Sequence, residues 1–291
     1  MWRVLLSLVL LAQQPETMSL LDKPLYAPRL PREERAARES ALVEARAAYE
    51  HDPVSVDAAI ALARAEMAIG RVGDALEIIT RAQEGKPDDP RLALERARGL
   101  ITIRKFELAV KALAKPAETL PDARCALGLA QYLAASYARA REALAKCPEP
   151  GIFAYLADAR AGSSGTPRPV VTREPTRDRS VIRLPGAATP GPSMRLPLEA
   201  MYLDAVERFI KGDTAGARAL LKQIVEKDRD RWTDPVYIAA EVDYAAILKS
   251  EGKRPKKDKQ QPAGPARRAS AIARERVFRS IECASNRYRS R

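Results

Sequence analysis

Residues able to do acid–base, nucleophilic or metal chemistry are sparse in this sequence. Its one histidine, His51, stands between Glu50 and Asp52-Pro53. A single imidazole excludes multi-histidine metal sites and leaves no obvious Ser/His/Asp set. In an exposed turn it reads as solvated. Asp228, Asp230 and Asp234 cluster, but Trp232 and Thr233 fill the turn. A calcium loop needs a glycine there and a closing glutamate, so no metal is expected. Gly162-Ser163-Ser164-Gly165-Thr166 lacks the Gly-Lys-Ser/Thr ending and the preceding strand of a phosphate loop. Together these residues predict a protein that is not an enzyme, with no cofactor, no metal and no small-molecule substrate.

The elements that must position any other kind of site are helical. The chain has 291 residues, with 46% hydrophobic and only 5% aromatic. Ala, Leu, Val and Ile dominate the apolar set, as in a helical protein able to build a core. No run of about 18 apolar residues exists to cross a bilayer. The net charge of +12 is uneven. Residues 251–291 carry +9 and residues 163–196 carry +4, leaving the remainder close to neutral.

A period of 34 runs through the first half. Pro53, Pro87 and Pro121 share it, and so do Ala41, Ala75 and Ala109. A small residue lets two antiparallel helices approach, and residues four and seven positions later extend the same face. Leu127-Gly128-Leu129-Ala130-Gln131-Tyr132, followed by Tyr137 and Ala140-x-x-x-Leu144, carries the pattern most fully. Leu62-Ala63 and Arg96-Ala97 are its counterparts, and Ala140 follows Ala109 by 31 rather than 34. This set resembles the tetratricopeptide repeat, a helix–turn–helix unit. Arg124 and Gln131 stand where that family has Trp and Tyr.

The expected fold is all-α, a short solenoid of antiparallel helix pairs with a proline-rich linker and a basic C-terminal tail. Helices are predicted at 32–50, 55–69, 72–84, 90–103, 106–115, 121–134, 137–147 and 150–161, so that 32–161 forms the repeats. Residues 13–31, with four prolines, read as extended. Six prolines mark 162–196 as a linker, although Thr172–Leu184 alternates enough for a brief strand. A second helical block is expected over 197–250, with Ala217-x-x-x-Leu221 as its contact pair, and a tail with a short helix over 251–291. Cys125 and Cys147 fall on the two arms of one hairpin. They form either a bridge, in an exported chain, or two small buried thiols, the reading that composition prefers.

The resemblance implies a concave face built from first helices. Its candidate contacts are Arg64, Met67, Arg91, Arg98, Thr102 and Tyr132, with Asp122 beside them. Arg64 and Arg98, 34 apart, stack as a ladder suited to an acidic peptide or a carboxylate if bare. If they pair with Glu66 and Glu95 they are silent, and pairing is the expected state. The implied function is a protein or peptide scaffold. The alternative is capture of an anionic surface or polyanion by Lys253, Arg254, Lys256, Lys257, Lys259, Arg267 and Arg268 in the tail.

Residues 1–12, with Arg3 ahead of Val4–Ala12, resemble a short signal peptide. The Ala/Arg-rich composition fits a bacterium of high GC content. A periplasmic or secreted location is therefore expected, or a cytoplasmic one if Met18 is the true start.

Overall fold

A computed structural model of the chain describes residues 14–174, 179–183 and 196–252. Among them run twelve α-helices and four short strands. The helices are α1 (Arg32–His51), α2 (Val56–Ala68), α3 (Val72–Gly85), α4 (Pro90–Thr102), α5 (Phe106–Leu113) and α6 (Pro116–Thr119). Then come α7 (Pro121–Leu133), α8 (Tyr137–Leu144), α9 (Phe153–Arg160), α10 (Leu196–Ile210), α11 (Thr214–Lys227) and α12 (Pro235–Ser250). Consecutive helices pack as antiparallel neighbours, which is the expected solenoid. Starts are chemically marked. Ser55, Asp89, Asp213 and Asp234 each accept a backbone N–H of the first turn, and Pro90, Pro121 and Pro235 open their helices.

One frame recurs in four hairpins. Gly70, Arg104, Ala135 and Gly212 all have positive φ, between 56° and 86°, and each turns a first helix into its second. Seven residues before each stands Ala63, Ala97, Gly128 or Ala205. Five residues after stands Ala75, Ala109, Ala140 or Ala217. All eight are buried. The left-handed residue reverses the chain, and the two small residues let the arms touch. The contact is tight. A Cβ on Gly128 would stand 2.6 Å from Leu144 Cγ, and one on Gly99 2.7 Å from Leu76 Cδ2. Arg104 and Ala135 take a conformation that L-residues disfavour by about 1–2 kcal/mol, so the turn is imposed by the arms rather than chosen locally. The α10–α11 pair obeys this frame, so the second block is a further unit of the same kind.

Several expectations are corrected. The segment before α1 is not merely extended. Its strands β1 (Thr17–Met18) and β2 (Pro24–Leu25) pair antiparallel, and Leu21 and Leu25 enter the core. It continues across the α2–α3 turn, where Pro28 lies so close to Gly70 that a Cβ would stand 2.2 Å from Pro28 Cδ. The expected linker contains β3 (Val170–Glu174) and β4 (Arg179–Arg183), an antiparallel pair in the stretch where alternation was visible. Its first residues are tied down: the Thr166 N–H donates to Asp158 Oδ2 at 2.6 Å, and Arg168 pairs with Glu207. Burial alone would raise the Asp158 pKa, yet the Thr166 N–H and the Ser163 and Thr166 hydroxyls hold it below the usual carboxylate value. The helix expected at 106–115 ends at Leu113, and Pro116 opens α6 instead. Cys125 and Cys147 are joined by a disulfide, not left as thiols. The basic tail from Lys253 and the apolar run at residues 1–12 lie outside the described residues.

The frame generates a paired test. Gly128→Ala drives a methyl into Leu144 and is expected to destabilise by about 1–3 kcal/mol. Gly73, within α3, has nothing within 4 Å of an added Cβ. Gly73→Ala is therefore expected to be neutral or to stabilise by up to about 1 kcal/mol. Chemical denaturation of both variants checks the pair; equal effects would contradict the placement of Gly128.

Candidate functional site

The first helices α2, α4 and α7 lie side by side, so residues in equivalent places form rows across them. The small residues Ala63, Ala97 and Gly128 set the register. One residue further along each helix come Arg64, Arg98 and Leu129, and six residues before come Asp57, Arg91 and Asp122. These rows carry two groups of ion pairs that together form a ladder across the helices. Arg91 Nη1 meets Asp57 Oδ1 at 2.6 Å, and its Nη2 meets Asp89 Oδ2 at 2.9 Å. Arg64 donates from Nε and Nη2 to Glu95 Oε1 at 3.0 and 2.6 Å. Arg98 donates to the same oxygen at 2.9 Å and reaches Asp122 at 3.7 Å.

Glu95 is the hub. It is 1% exposed, while the Arg64 side chain is 55% exposed. Hydrogen bonds to Glu95 raise the Arg64 pKa further above its ordinary value, against the opposing effect of burial. Glu95 Oε2 is buried and has no hydrogen-bond partner. The arginines therefore stand on the surface but are aimed and neutralised from below. Pairing with Glu95 holds for both Arg64 and Arg98. Glu66 pairs elsewhere, with Arg46 at 2.8 Å and Arg71 at 3.6 Å.

The other candidates separate. Met67 is half-buried against the cluster of Val56, Ile60, Ala63, Ala75, Ile79 and Leu92. The Thr102 hydroxyl donates to its own helix, at Arg98 O. Tyr132 is not on the face at all; it is 2% exposed. Because the third unit follows at 31 rather than 34, Tyr132 occupies the place of buried Ile101, not that of Arg98.

Tyr132 instead belongs to the seat of the second block, which residue spacing did not reveal. Its hydroxyl lies 2.9 Å from that of Tyr202, which donates to Asp243 Oδ2 at 2.8 Å. Arg160 pairs with Asp243 and donates to the Tyr137 hydroxyl at 2.6 Å, with its guanidinium over the Tyr132 and Tyr137 rings. Burial pushes the Asp243 carboxyl up, while Arg160 and Tyr202 pull it back. Two residues earlier, Glu241 meets Arg104 Nη2 at 2.6 Å and accepts the Leu20 N–H. Arg104 also lies over the Trp232 ring, whose Nε1 donates to Tyr26 O at 2.7 Å. The available signal was the pair of acids inside the apolar run Val236–Ile247, since a charge there demands a buried partner.

Among the described residues no group of three His, Cys, Asp or Glu is placed to hold a metal, and no helix is long and apolar enough to cross a membrane. Removing the hub charge tests the ladder. Glu95→Gln should destabilise by about 1–3 kcal/mol, because two arginines lose the negative charge of their common buried acceptor and keep only neutral hydrogen bonds to an amide oxygen. Unchanged stability in urea would mean that the pairs are incidental.

A tetratricopeptide repeat family model matches residues 36–99, which spans most of α1, all of α2 and α3, and α4 up to Gly99. Neither a curated protein nor a solved structure matched the chain.

Proposed function

We propose that this chain, a tetratricopeptide-repeat protein, is a non-catalytic scaffold that holds a protein or peptide partner on the exposed rows of α2, α4 and α7. One observation carries the reading: Arg64 and Arg98, on adjacent first helices, are exposed at their heads and fixed from beneath by the buried Glu95, with Arg91 held beside them by Asp89 and Asp57. Fixing lowers the entropy lost when a partner engages them. The rows are close to charge-balanced, so they suit a partner whose own carboxylates exchange with the exposed Asp57 or Asp122 while Glu95 stays in place. They do not form a bare cationic trough. At the far ends of α4 and α7 stand the Arg104–Glu241 pair and the buried Tyr132, and at that of α2 Pro28 lies against Gly70, so the partner has access to the ladder but not to the Tyr132 end.

Export supports the same picture. The Val4–Ala12 run resembles a signal peptide, and the Cys125–Cys147 bridge, separated by 22 residues, belongs to an oxidising compartment. The Ala/Arg-rich composition favours a bacterial envelope.

Site-specific photo-crosslinking in cells tests both parts. A crosslinker at Arg98 is expected to give a discrete adduct, lost with Arg64→Glu, whereas one at exposed Lys111 on α5 gives none. The mass of the mature chain is expected to lack residues 1–12. Equal labelling from Arg98 and Lys111 would remove the face from the proposal, and an intact amino end in a cytoplasmic fraction would remove export.

A further inference from the structure

We propose that the Cys125–Cys147 disulfide is a redox-sensitive latch that holds α9 in place, closed by oxidation and opened by a dithiol. The hairpin it spans is the least adhesive of the four that share the repeat frame. Its second arm, α8, buries two residues, Ala140 and Leu144, against four in α3, three in α5 and four in α11. Its turn residue is Ala135, with a φ of 56° that glycine would take without strain. Arg104, the other L-residue at such a turn, gains Glu241 and Trp232 in return, and a methyl group gains no such contact. The bridge supplies the adhesion that α8 lacks.

What α8 carries is part of the seat of the second block. The α9 helix packs chiefly on α8, and less on α7 and α10. Pro148-Glu149-Pro150-Gly151-Ile152 runs directly from Cys147 into α9, and its two prolines stiffen so short a connection. The position of Cys147 is thereby passed to α9. The last residue of α9, Arg160, pairs with Asp243 and donates to the Tyr137 hydroxyl on α8. With the bridge closed, α8 cannot leave α7, and Arg160 stays on Asp243. With the bridge open, α8 and α9 lift together and withdraw Arg160.

The bridge is placed to react. Cys125 is half-buried, and Lys146 and Pro148 on either side of Cys147 are exposed. Arg124 Nη1 donates to Lys146 O at 3.5 Å, which sets a guanidinium against the peptide entering Cys147. A cation there favours a departing thiolate. In the exchange, one thiolate of the dithiol attacks the Cys125 sulfur, the Cys125–Cys147 bond breaks, and Cys147 leaves as a thiolate that takes up a proton. The second thiol, once deprotonated, attacks the sulfur now bound to Cys125. The dithiol closes into its own disulfide, and Cys125 is released and protonated in turn. The dithiol gives up two electrons and two protons, and the protein gains two thiols. This inference does not depend on the scaffold reading, since it concerns what holds α9 rather than what α2, α4 and α7 bind.

Native-state hydrogen exchange of the full chain, before and after dithiothreitol, tests it. A Cys283→Ser background keeps the third cysteine out of the exchange. Alkylation followed by mass measurement is expected to find no free thiol before reduction, and two after dithiothreitol in native buffer without denaturant. In the oxidised chain, α8 and α9 are expected to exchange as slowly as α4. After reduction they are expected to exchange at least about tenfold faster than α4, because a cross-link between residues 22 apart changes an opening equilibrium by a factor on the order of a hundred. The Cys125→Ala, Cys147→Ala double variant is expected to match the reduced chain and to ignore dithiothreitol. If that variant does not fold, the reduced chain carries the comparison. Two free thiols before reduction, or a bridge that yields only in denaturant, would overturn the proposal. So would a reduced chain in which α8 and α9 stay as slow as α4, or one in which all three speed up alike, which would make the bridge a staple of the whole body.

Discussion

Two buried carboxylates on one helix, Glu241 and Asp243, set the terms for the rest of the molecule. The α12 helix has buried residues from Val236 to Glu241 without a break, and then Asp243, Tyr244 and Ile247. A helix apolar on every side must be enclosed. Its two acids cannot be enclosed unless each meets a cation, because an unpaired charge in that place costs several kcal/mol. Both cations come from the first repeats: Arg104 from the α4–α5 turn and Arg160 from the end of α9. The charges thus specify where the second block sits. Hydrophobic burial alone would accept many seats; these two pairs accept one.

The strained turn at Arg104 follows from the same demand. Its positive φ occupies the position that Gly70 and Gly212 fill without cost in the other hairpins. Arginine there bears a backbone penalty, and in return its guanidinium reaches Glu241 and lies over Trp232. The turn is at once a repeat feature and half of the lock. The amino-terminal segment closes the assembly from outside, since Leu20, Pro24 and Tyr26 bond to Glu241, Arg229 and Trp232 through their backbones.

Much of this was legible in the residues. The alanines at 75, 109, 140 and 217 announced the hairpins, and the 31-residue step at Ala140 was visible. What was not drawn from that step was its consequence, that Tyr132 shifts from the Arg98 row into the Ile101 row and becomes core. The ladder was half legible. Pairing of Arg64 and Arg98 was expected with Glu66 and Glu95, but both meet Glu95 while Glu66 meets Arg46 and Arg71, and Asp57 beside Arg91 needed the helices laid side by side. Contacts between residues far apart in sequence, such as Leu20 with Glu241, leave no periodic trace. The disulfide went against the reading of the residues, which favoured thiols because two small cysteines on facing helices can fill a helix contact without a bond.

The central claim is that repeats and second block form one cooperative body through the Arg104–Glu241 and Arg160–Asp243 pairs. Native-state hydrogen exchange read by mass spectrometry tests it most directly. Peptides from α4, α7 and α12 should open with the same free energy, and Asp243→Asn should lower all three together. Exchange of α12 at a distinctly lower free energy, with α4 and α7 still protected, would show two independent units and contradict the account.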